Sequence, residues 1–300
     1  MMKNSLRLLS CAIILLLSTS FNTERPGHSR KAAIKTIIVD PGHGGYAIGA
    51  KGHYSLEKNV CLAIALKLGK KLEEAFPDVK IVYTRTTDTY VANRYRADFA
   101  NANKGDLYLC IHANSMDKIR HQKFTGYKKE VYYTGTGSKR KKKTRTVPKY
   151  TYYYTDDPAY GTETYIWAAD RTDPKSEYIG ERISGETLDS TEQAPDINDP
   201  EFRAKSLLWT KKFFDRSMLL ATYVENEFVK DKRFSRGVQQ RNWEGIWVLQ
   251  ATAMPSILVE TGFLSNRKEE DYLNSKKGQE EVSDCVLRAV QRYKEEMDRK

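Results

Sequence analysis

The chain of 300 residues has few cysteines and, after its first twenty residues, no long apolar run. After residue 20 the cysteines are Cys61, Cys110 and Cys285. An odd number of cysteines without paired spacing argues against a disulfide framework. No later stretch is apolar enough to cross a membrane. The hydrophobic content of 40% is ordinary for a globular protein and excludes wholesale disorder.

Two common catalytic motifs are also missing. The sequence has no Gly-x-Ser-x-Gly elbow, which argues against a serine hydrolase. A glycine-rich turn at residues 40–45 lacks the Lys-Ser/Thr ending of a phosphate-binding loop, so nucleotide binding is unsupported. Histidine is scarce as well, with five in the chain, which makes the context of each one informative.

The first twenty residues have the layout of a secretory signal peptide. Lys3 and Arg7 precede an apolar run from Leu8 to Leu17, and small residues follow at 18–20. A retained N-terminal anchor is the alternative, although the run is short for a membrane span. Residues 21–35 are polar and basic and indicate a linker. We therefore predict an exported protein, in the periplasm or the cell wall, without a transmembrane anchor after signal cleavage.

The chain is basic, with a net charge of +11 that becomes +9 when Lys3 and Arg7 leave with the signal peptide. Such an excess attracts polyanions, including teichoic acids, anionic lipids and nucleic acids, without choosing among them. The densest basic run, Ser138–Arg145, is typical of a solvated loop or a contact to an anionic envelope polymer. Nucleic-acid binding would rest on charge alone, and we predict none.

The first third of the chain alternates between strand and helix patterns. Short apolar runs predict strands, and segments with an apolar stripe at i, i+4 spacing predict helices. In order, they are a strand at Ile37–Asp40, a helix at Glu57–Ala75, a strand at Lys80–Arg85, a helix at Val91–Asn103 and a strand at Leu107–His112. This order predicts an α/β fold with a mainly parallel sheet flanked by helices.

The alternation breaks after Asn114, and we predict that residues 117–205 are a long insertion in a catalytic domain spanning 36–298. Within the insertion the pattern indicates a strand at Gly126–Tyr133 and a helix near Tyr178–Leu188. Regular elements then return: a helix at Phe202–Lys230, strands at Ile246–Leu249 and Ser256–Glu260, and a helix at Gln279–Met297.

Four residues are candidates for a hydrolytic metal site: His43, Glu57, His112 and Glu260. Three of them follow apolar strands and one opens a helix, and the carboxyl ends of strands in an open α/β sheet are where ligands bind. Two imidazoles and a carboxylate suit a catalytic zinc ion with a fourth position for water. We assign His43, Glu57 and His112 as ligands and Glu260 as general acid/base.

Other polar residues near these positions have open roles. Arg85 could meet a substrate carboxylate or form a surface ion pair. Asn114 is also a candidate for substrate binding; otherwise Asn114 and Asp40 could orient the histidines or terminate turns. His53 lies close enough in sequence to Glu57 to be a substitute ligand.

Six motifs occur in one order and together resemble a known family. They are Ile38–Gly45, Glu57–Asn59, Tyr83–Arg85, Ile111–Asn114, Arg236–Val238 and Pro255–Asn266. The chain resembles the zinc-dependent N-acetylmuramoyl-L-alanine amidases of the bacterial cell-division type. The resemblance implies a phosphorylase/hydrolase-like fold and hydrolysis of the amide between N-acetylmuramic acid and L-alanine of the peptidoglycan stem peptide. It implies zinc held by His43, Glu57 and His112, with Glu260 as the catalytic glutamate.

Two questions stay open at this point. Some relatives carry an inserted helix that blocks the metal until a partner displaces it, so residues near 160–195 are predicted to restrain activity until an activator protein binds. A purely structural insertion or a glycan-binding arm is the alternative. The acids of the insertion that are candidates to reach zinc are Glu163, Glu177, Glu181, Glu186 and Glu192. The competing functions are a catalytically silent peptidoglycan-binding regulator and a zinc peptidase acting on stem peptides.

Overall fold

The computed structural model describes residues 34–168, 175–176, 178–180, 182, 199–241 and 245–299. The predicted signal peptide (1–20), nearly all of the linker (21–35) and most of the predicted helix near Tyr178–Leu188 lie outside these ranges. In the part of the chain that is described, no helix is both long and apolar enough to cross a membrane.

The elements follow the predicted alternation. The strands are β1 (Thr36–Pro41), β2 (Lys80–Tyr83), β3 (Leu107–Asn114), β4 (Ile119–Thr134), β5 (Lys141–Thr155), β6 (Thr162–Ile166), β7 (Ser235–Gln240) and β8 (Ser256–Phe263). The helices are α1 (Glu57–Ala75), α2 (Asn93–Ala102), α3 (Pro200–Lys230), α4 (Trp247–Ala251), α5 (Arg267–Asn274) and α6 (Lys276–Arg299).

A six-stranded sheet with the order β2-β1-β3-β8-β6-β7 forms the centre of the fold. All neighbouring strands are parallel except β6 and β8, which are antiparallel. The predicted α/β architecture with a mainly parallel sheet is confirmed. Because both faces of the sheet are covered, its central strands are continuous apolar runs rather than alternating ones.

Two apolar cores pack on opposite faces of the sheet. Residues such as Ile37 and Val39 of β1 face a large core formed with α1, α3 and α6. Their neighbours, such as Ile38, face a smaller core that includes α2 and α4. Because successive residues of a strand point to opposite faces of the sheet, alternate residues of β1 pack into alternate cores.

Within residues 117–205, predicted as an insertion, β6 belongs to the central sheet. Its residue Thr164 pairs with Val259 of β8 on one side and with Val238 of β7 on the other. Neither β6 nor β7 was predicted, because each is a short strand of mixed polarity without an apolar run.

One predicted strand is wrong. The apolar run Ile246–Leu249 does not join the sheet but leads into helix α4, Trp247–Ala251. A run of four apolar residues fits a buried helix as well as a strand, and periodicity cannot separate the two.

Strands β4 and β5 form a separate antiparallel hairpin, here called the β4–β5 hairpin, and among the described residues they pair with no other strand. The hairpin contains the predicted strand Gly126–Tyr133 and extends it to sixteen residues. The basic run Ser138–Arg145 forms its turn and the start of its return strand. Residues 117–205 thus comprise an exposed hairpin, one strand of the sheet, and a segment that is described only in part.

Candidate metal centre

The predicted site residues on the strands share one face of the sheet. His112 of β3 is in register with Glu260 of β8, and Glu260 is in register with Glu163 of β6. These three residues therefore form a row across the sheet, on the face of the smaller core. Asp40 lies on the same face one strand away, beside Cys110. The sequence predicted His112 and Glu260 at strand ends, and the register brings them side by side.

His43 is held in a tight loop after β1. Its backbone is in the left-handed region, with a φ of 58°, which is uncommon for a residue other than glycine. Gly42 is required for another reason: a Cβ built on it would lie 2.4 Å from Nε2 of His112. The loop and the second histidine therefore pack too closely for any side chain at residue 42.

Two buried arginines fix this loop from below. Arg85 donates hydrogen bonds to the carbonyl oxygens of Pro41 (3.0 Å) and Gly42 (2.7 Å). Arg96 donates to the carbonyl oxygens of Pro41 and His43 and forms an ion pair with the buried carboxylate of Asp40. The ion pair compensates the desolvation of both charges. Asp40 therefore holds Arg96 in the position from which it bonds to the loop.

Glu57 opens helix α1, where a negative charge is stabilised by the helix dipole. Its Oε1 lies 2.8 Å from Nδ1 of His112 and 3.1 Å from Nε2 of His43. Its Oε2 accepts a 2.6 Å hydrogen bond from the amide of Ala50. Burial alone would raise the pKa of Glu57, but the hydrogen bonds with the two histidines outweigh it and hold that pKa well below the usual carboxyl range.

These three side chains form a possible metal site. One ligand atom from each of His43, Glu57 and His112 lies within 4.8 Å of the other two. Atoms bound tetrahedrally to a zinc ion at about 2.0–2.1 Å are roughly 3.3 Å apart, close to the 2.8 Å and 3.1 Å that separate Oε1 of Glu57 from the nitrogens of His112 and His43. The donor set of two imidazoles and one carboxylate therefore fits a divalent transition metal. His53 is not in this group; its Nε2 lies 3.3 Å from the carbonyl oxygen of Ser265.

Glu260 is buried beside this site. Among the described residues, its Oε2 is one of four buried side-chain polar atoms without a hydrogen-bond partner. Burial raises the pKa of Glu260 well above the usual carboxyl value, the negative charge of Glu57 raises it further, and Arg241 opposes both. A buried carboxyl oxygen without a hydrogen-bond partner destabilises the folded state. Such groups are typical of functional sites, where they can exchange a proton with a substrate.

Asn114 connects the row to the end of β3. Its side-chain amide donates a 2.5 Å hydrogen bond to Glu163, which also accepts from Arg236 at 3.0 Å. Glu163 is thus held by basic and amide groups and lies outside the three-residue metal group. The other acids predicted to reach the metal, Glu177, Glu181, Glu186 and Glu192, lie outside the described residues.

The cavity above the site has a volume of about 850 Å³. His43, Glu57, His112 and Glu260 line it together with Asn114. Arg85 does not line it; its guanidinium is buried and bonded to backbone carbonyls, so it positions the His43 loop.

Several residues of the site carried no signal in the sequence. Arg96 lies in a helix, where an arginine is usually solvated, and only its ion pair with Asp40 reveals its role. Arg241 and Trp247 line the cavity although they are far in sequence from every motif of the ligands. The motif Arg236–Val238 was among those that carry the family resemblance, and the side chain of Arg236 forms a 3.0 Å ion pair with Glu163.

Comparison with known proteins agrees with this site. Residues 37–292 match the family model described as N-acetylmuramoyl-L-alanine amidase. Over 270 residues the chain is 29% identical to N-acetylmuramoyl-L-alanine amidase AmiC of Escherichia coli O6:H1, a match covering 90% of this chain and 55% of that protein. The chain therefore spans about half the length of this curated relative.

Two solved structures share the fold. N-acetylmuramoyl-L-alanine amidase AmiC2 of Nostoc punctiforme superposes with a TM-score of 0.55 at 23% identity, covering 86% of this chain and 96% of that one. The CwlD amidase from Clostridioides difficile, in complex with the GerS lipoprotein, has a TM-score of 0.52 at 21% identity, covering 86% and 98%. The predicted family resemblance is confirmed. Because the family model covers most of the chain, including all four predicted catalytic and ligand residues, the protein belongs to the N-acetylmuramoyl-L-alanine amidase family.

Proposed function

We propose that the protein is an exported, zinc-dependent amidase. It hydrolyses the amide between N-acetylmuramic acid and L-alanine of the peptidoglycan stem peptide during cell-wall turnover or cell separation. The observation that carries the proposal is the convergence of His43, Glu57 and His112 on one point beside the unpartnered, buried carboxyl of Glu260. Membership of the amidase family supports the choice of bond.

The residues divide the reaction between them. His43, Glu57 and His112 would hold the ion, and zinc, when bound, supplies the Lewis acidity that activates water and polarises the carbonyl. Glu260 takes the proton of the attacking water at its unpartnered oxygen and passes it to the leaving nitrogen. Asn114 lines the cavity at the end of the same row and could position the substrate.

Export and partners are part of the proposal. The apolar leader supports secretion to the periplasm or cell wall, where the substrate is found. A protein of the same fold, CwlD, is seen in complex with a lipoprotein, which supports the idea that a partner protein acts on this enzyme. We infer that the segment between β6 and α3 restrains activity until such an activator binds.

That restraint has a specific test. A deletion of residues 160–195 would remove β6 from the sheet, so the segment should instead be changed after β6 ends. Replacing residues 183–198 with a Gly-Ser linker of equal length keeps the sheet and the hydrogen bonds of Arg182 to the carbonyls of Gly105 and Ala253. We expect higher turnover of sacculi. Unchanged or lower turnover by the folded variant would contradict the restraint.

The reaction itself is tested by identifying the cleaved bond. Purified full-length protein is incubated with sacculi, and the soluble products are analysed by mass spectrometry. We expect intact stem peptides with free L-alanine amino termini, loss of release with a chelator, and recovery with added zinc. Cleavage within the stem would identify a zinc peptidase instead. No release of any fragment by the full-length protein or by its variant with residues 183–198 replaced by a linker, with binding to sacculi retained, would identify a catalytically silent regulator.

A further inference from the structure

The positive charge of the protein is concentrated in the β4–β5 hairpin. Residues 119–155 hold 11 of the chain's 50 Lys and Arg and one of its 39 Asp and Glu. The hairpin therefore carries +10 of the total charge of +11, and the rest of the chain is almost neutral. Its one acid, Glu130, accepts a 2.8 Å hydrogen bond from Arg145. The other basic side chains therefore have no acidic partner within the hairpin.

The strand register separates these charges from one another. Lys142 is opposite Tyr133, Lys143 is opposite Tyr132, and the remaining basic residues of the strands face Thr, Tyr, Val, Gly or Glu130. No basic residue lies directly across from another, an arrangement that avoids the repulsion of facing like charges. The ribbon thus holds a high charge density without destabilising its own strand pairing.

Aromatic rings are placed among the cations. Tyr127 is 71% exposed, Tyr154 59% and Tyr152 50%. The guanidinium of Arg120 lies 3.8 Å from the centre of the Tyr152 ring, and that of Arg140 lies 4.3 Å from the centre of the Tyr133 ring. Such rings offer flat apolar faces beside positive charge, a combination suited to stacking on a ring-containing anionic polymer.

The hairpin is not part of either core. All residues of β4 and β5 are described, and none of them is buried. An isolated two-stranded ribbon is only marginally stable in water, so a ribbon of fifteen and sixteen residues, roughly 50 Å long, gains from a binding partner.

The base of the hairpin is close to the metal centre. β4 starts five residues after Asn114, which lines the metal cavity. A 3.1 Å ion pair joins Lys118, just before β4, to Asp156, just after β5, at the base of the hairpin. A polymer bound along the ribbon would therefore run beside the entrance of the catalytic cavity.

We propose that the β4–β5 hairpin is a docking arm for the peptidoglycan network itself, a proposal that rests on the proposed function. Its lysines and arginines bind the free carboxylates of the stem peptides, and its exposed tyrosines stack on the pyranose rings of the glycan. The arm keeps the enzyme on its insoluble substrate while the metal centre cleaves one amide after another.

The two faces of the ribbon favour a polymer network over a membrane. Lys128, Tyr132 and Lys143 share one face, and Tyr127, Tyr133 and Lys142 share the other. A lipid surface contacts only one side of a ribbon, whereas strands of a mesh surround it. The exposed rings are also nearly all tyrosines, whose hydroxyl groups can bond to sugar hydroxyls.

The proposal is tested by sedimentation with sacculi from which attached secondary polymers have been removed by acid. The full-length chain carries Glu260→Gln so that the substrate is not consumed. The hairpin variant changes five lysines to glutamine: Lys128, Lys129, Lys141, Lys142 and Lys143. The matched control changes five exposed lysines elsewhere: Lys70, Lys205, Lys211, Lys268 and Lys277.

We expect the hairpin variant to bind sacculi about tenfold or more weakly, because several cations act on one anionic partner, and the control less than about twofold. Changing Tyr127, Tyr152 and Tyr154 to serine should also weaken binding, at unchanged net charge. Equal binding by the hairpin and control variants would overturn the proposal. Tighter binding to anionic phospholipid vesicles or to single-stranded oligothymidine than to sacculi would overturn the assigned partner.

Activity on a soluble muropeptide separates this proposal from the proposed function. With Glu260 restored, the hairpin variant should hydrolyse the soluble substrate at the wild-type rate and lose activity only on sacculi. If neither the wild-type protein nor the variant with residues 183–198 replaced by a linker cleaves the muropeptide, while the wild-type protein still binds sacculi through the hairpin, the proposed function is refuted and the arm is supported. Equal loss of activity on both substrates would refute the arm.

Discussion

The metal centre and the β4–β5 hairpin are both rich in charge, and they handle it in opposite ways. In the centre, the carboxylates of Asp40 and Glu57 are buried and bonded to a fixed arginine or to histidines. In the hairpin, basic side chains stand in solvent with a single acid among them. A buried charge destabilises the fold unless an opposite charge or a hydrogen-bond partner lies beside it. An exposed charge is screened by solvent and salt and needs no partner within the protein.

The two regions should differ in their sensitivity to substitution. A single change in the centre removes an interaction that nothing else replaces. A single change in the hairpin removes one of eleven similar charges. We therefore expect the centre to respond to individual substitutions and the hairpin to respond to salt and to grouped substitutions.

The largest expected effect is the loss of the carboxyl in Glu260→Gln. Turnover of a soluble muropeptide should fall about 10²–10⁴-fold, because a general acid/base contributes this much. Zinc content, measured by mass spectrometry of the metal, should stay at the wild-type level because Glu260 lies outside the three-residue group. As a control from the hairpin, Lys142→Gln should leave this turnover unchanged. Loss of the metal in Glu260→Gln would mean that Glu260 is a ligand.

The next largest effect concerns the buried ion pair beneath the His43 loop. Arg96→Met should lower the free energy of unfolding by about 3–5 kcal/mol, since it leaves the carboxylate of Asp40 buried and unpaired. Urea denaturation measures this change. Arg94→Met, two residues away, is the matched control: Arg94 is exposed and lies 3.7 Å from Asp98, a type of pair worth about 0–1 kcal/mol. Equal losses in both variants would show that burial does not set the difference.

A smaller effect is expected from Gly42→Ala. The added Cβ would collide with the His112 ring, which cannot move freely because its Nδ1 is bonded to Glu57. Metal affinity should fall about 10–100-fold, as for other changes that misalign ligands. Competition with a chromogenic chelator measures it. Gly137→Ala, in the turn of the hairpin with no atom within 4 Å of its Cβ, should leave the affinity unchanged. Unaltered affinity in Gly42→Ala would contradict the close packing.

The smallest effect belongs to Glu280, a partly exposed carboxylate that is paired with two lysines. Hydrogen bonds from Lys71 and Lys67 lower the pKa of Glu280 to about 2 from its ordinary 4.5. A lowered pKa stabilises the fold above pH 4.5, and this stabilisation is lost as the pH falls towards 2. Glu280→Gln should therefore flatten the pH dependence of stability in that window, by a small amount because Glu280 is partly exposed and solvent screens its pairs with the lysines. An unchanged slope would show that the pair does not persist in solution.

Much of the architecture could be read from the sequence because apolar periodicity is a local property. Helix α1 was predicted with both ends as observed, since its apolar stripe and the following Pro77 mark them. β1 and β3 were predicted from their apolar runs. The strands β6 and β7 escaped because their place in the sheet is set by pairing with β8, not by a pattern of their own.

The site divides in the same way. Rare histidines and acids at strand and helix ends made His43, Glu57, His112 and Glu260 candidates from sequence alone, and the structure places all four in one cavity. Only the tertiary structure shows that Arg85 is bonded to the carbonyl groups of the His43 loop, and that Arg96 and Glu163 bond to residues of the site. The reason is physical: residue type and local context limit what chemistry a side chain can do, but its partners come from distant parts of the chain. Register, burial and the resulting pKa shifts exist only once the strands are paired.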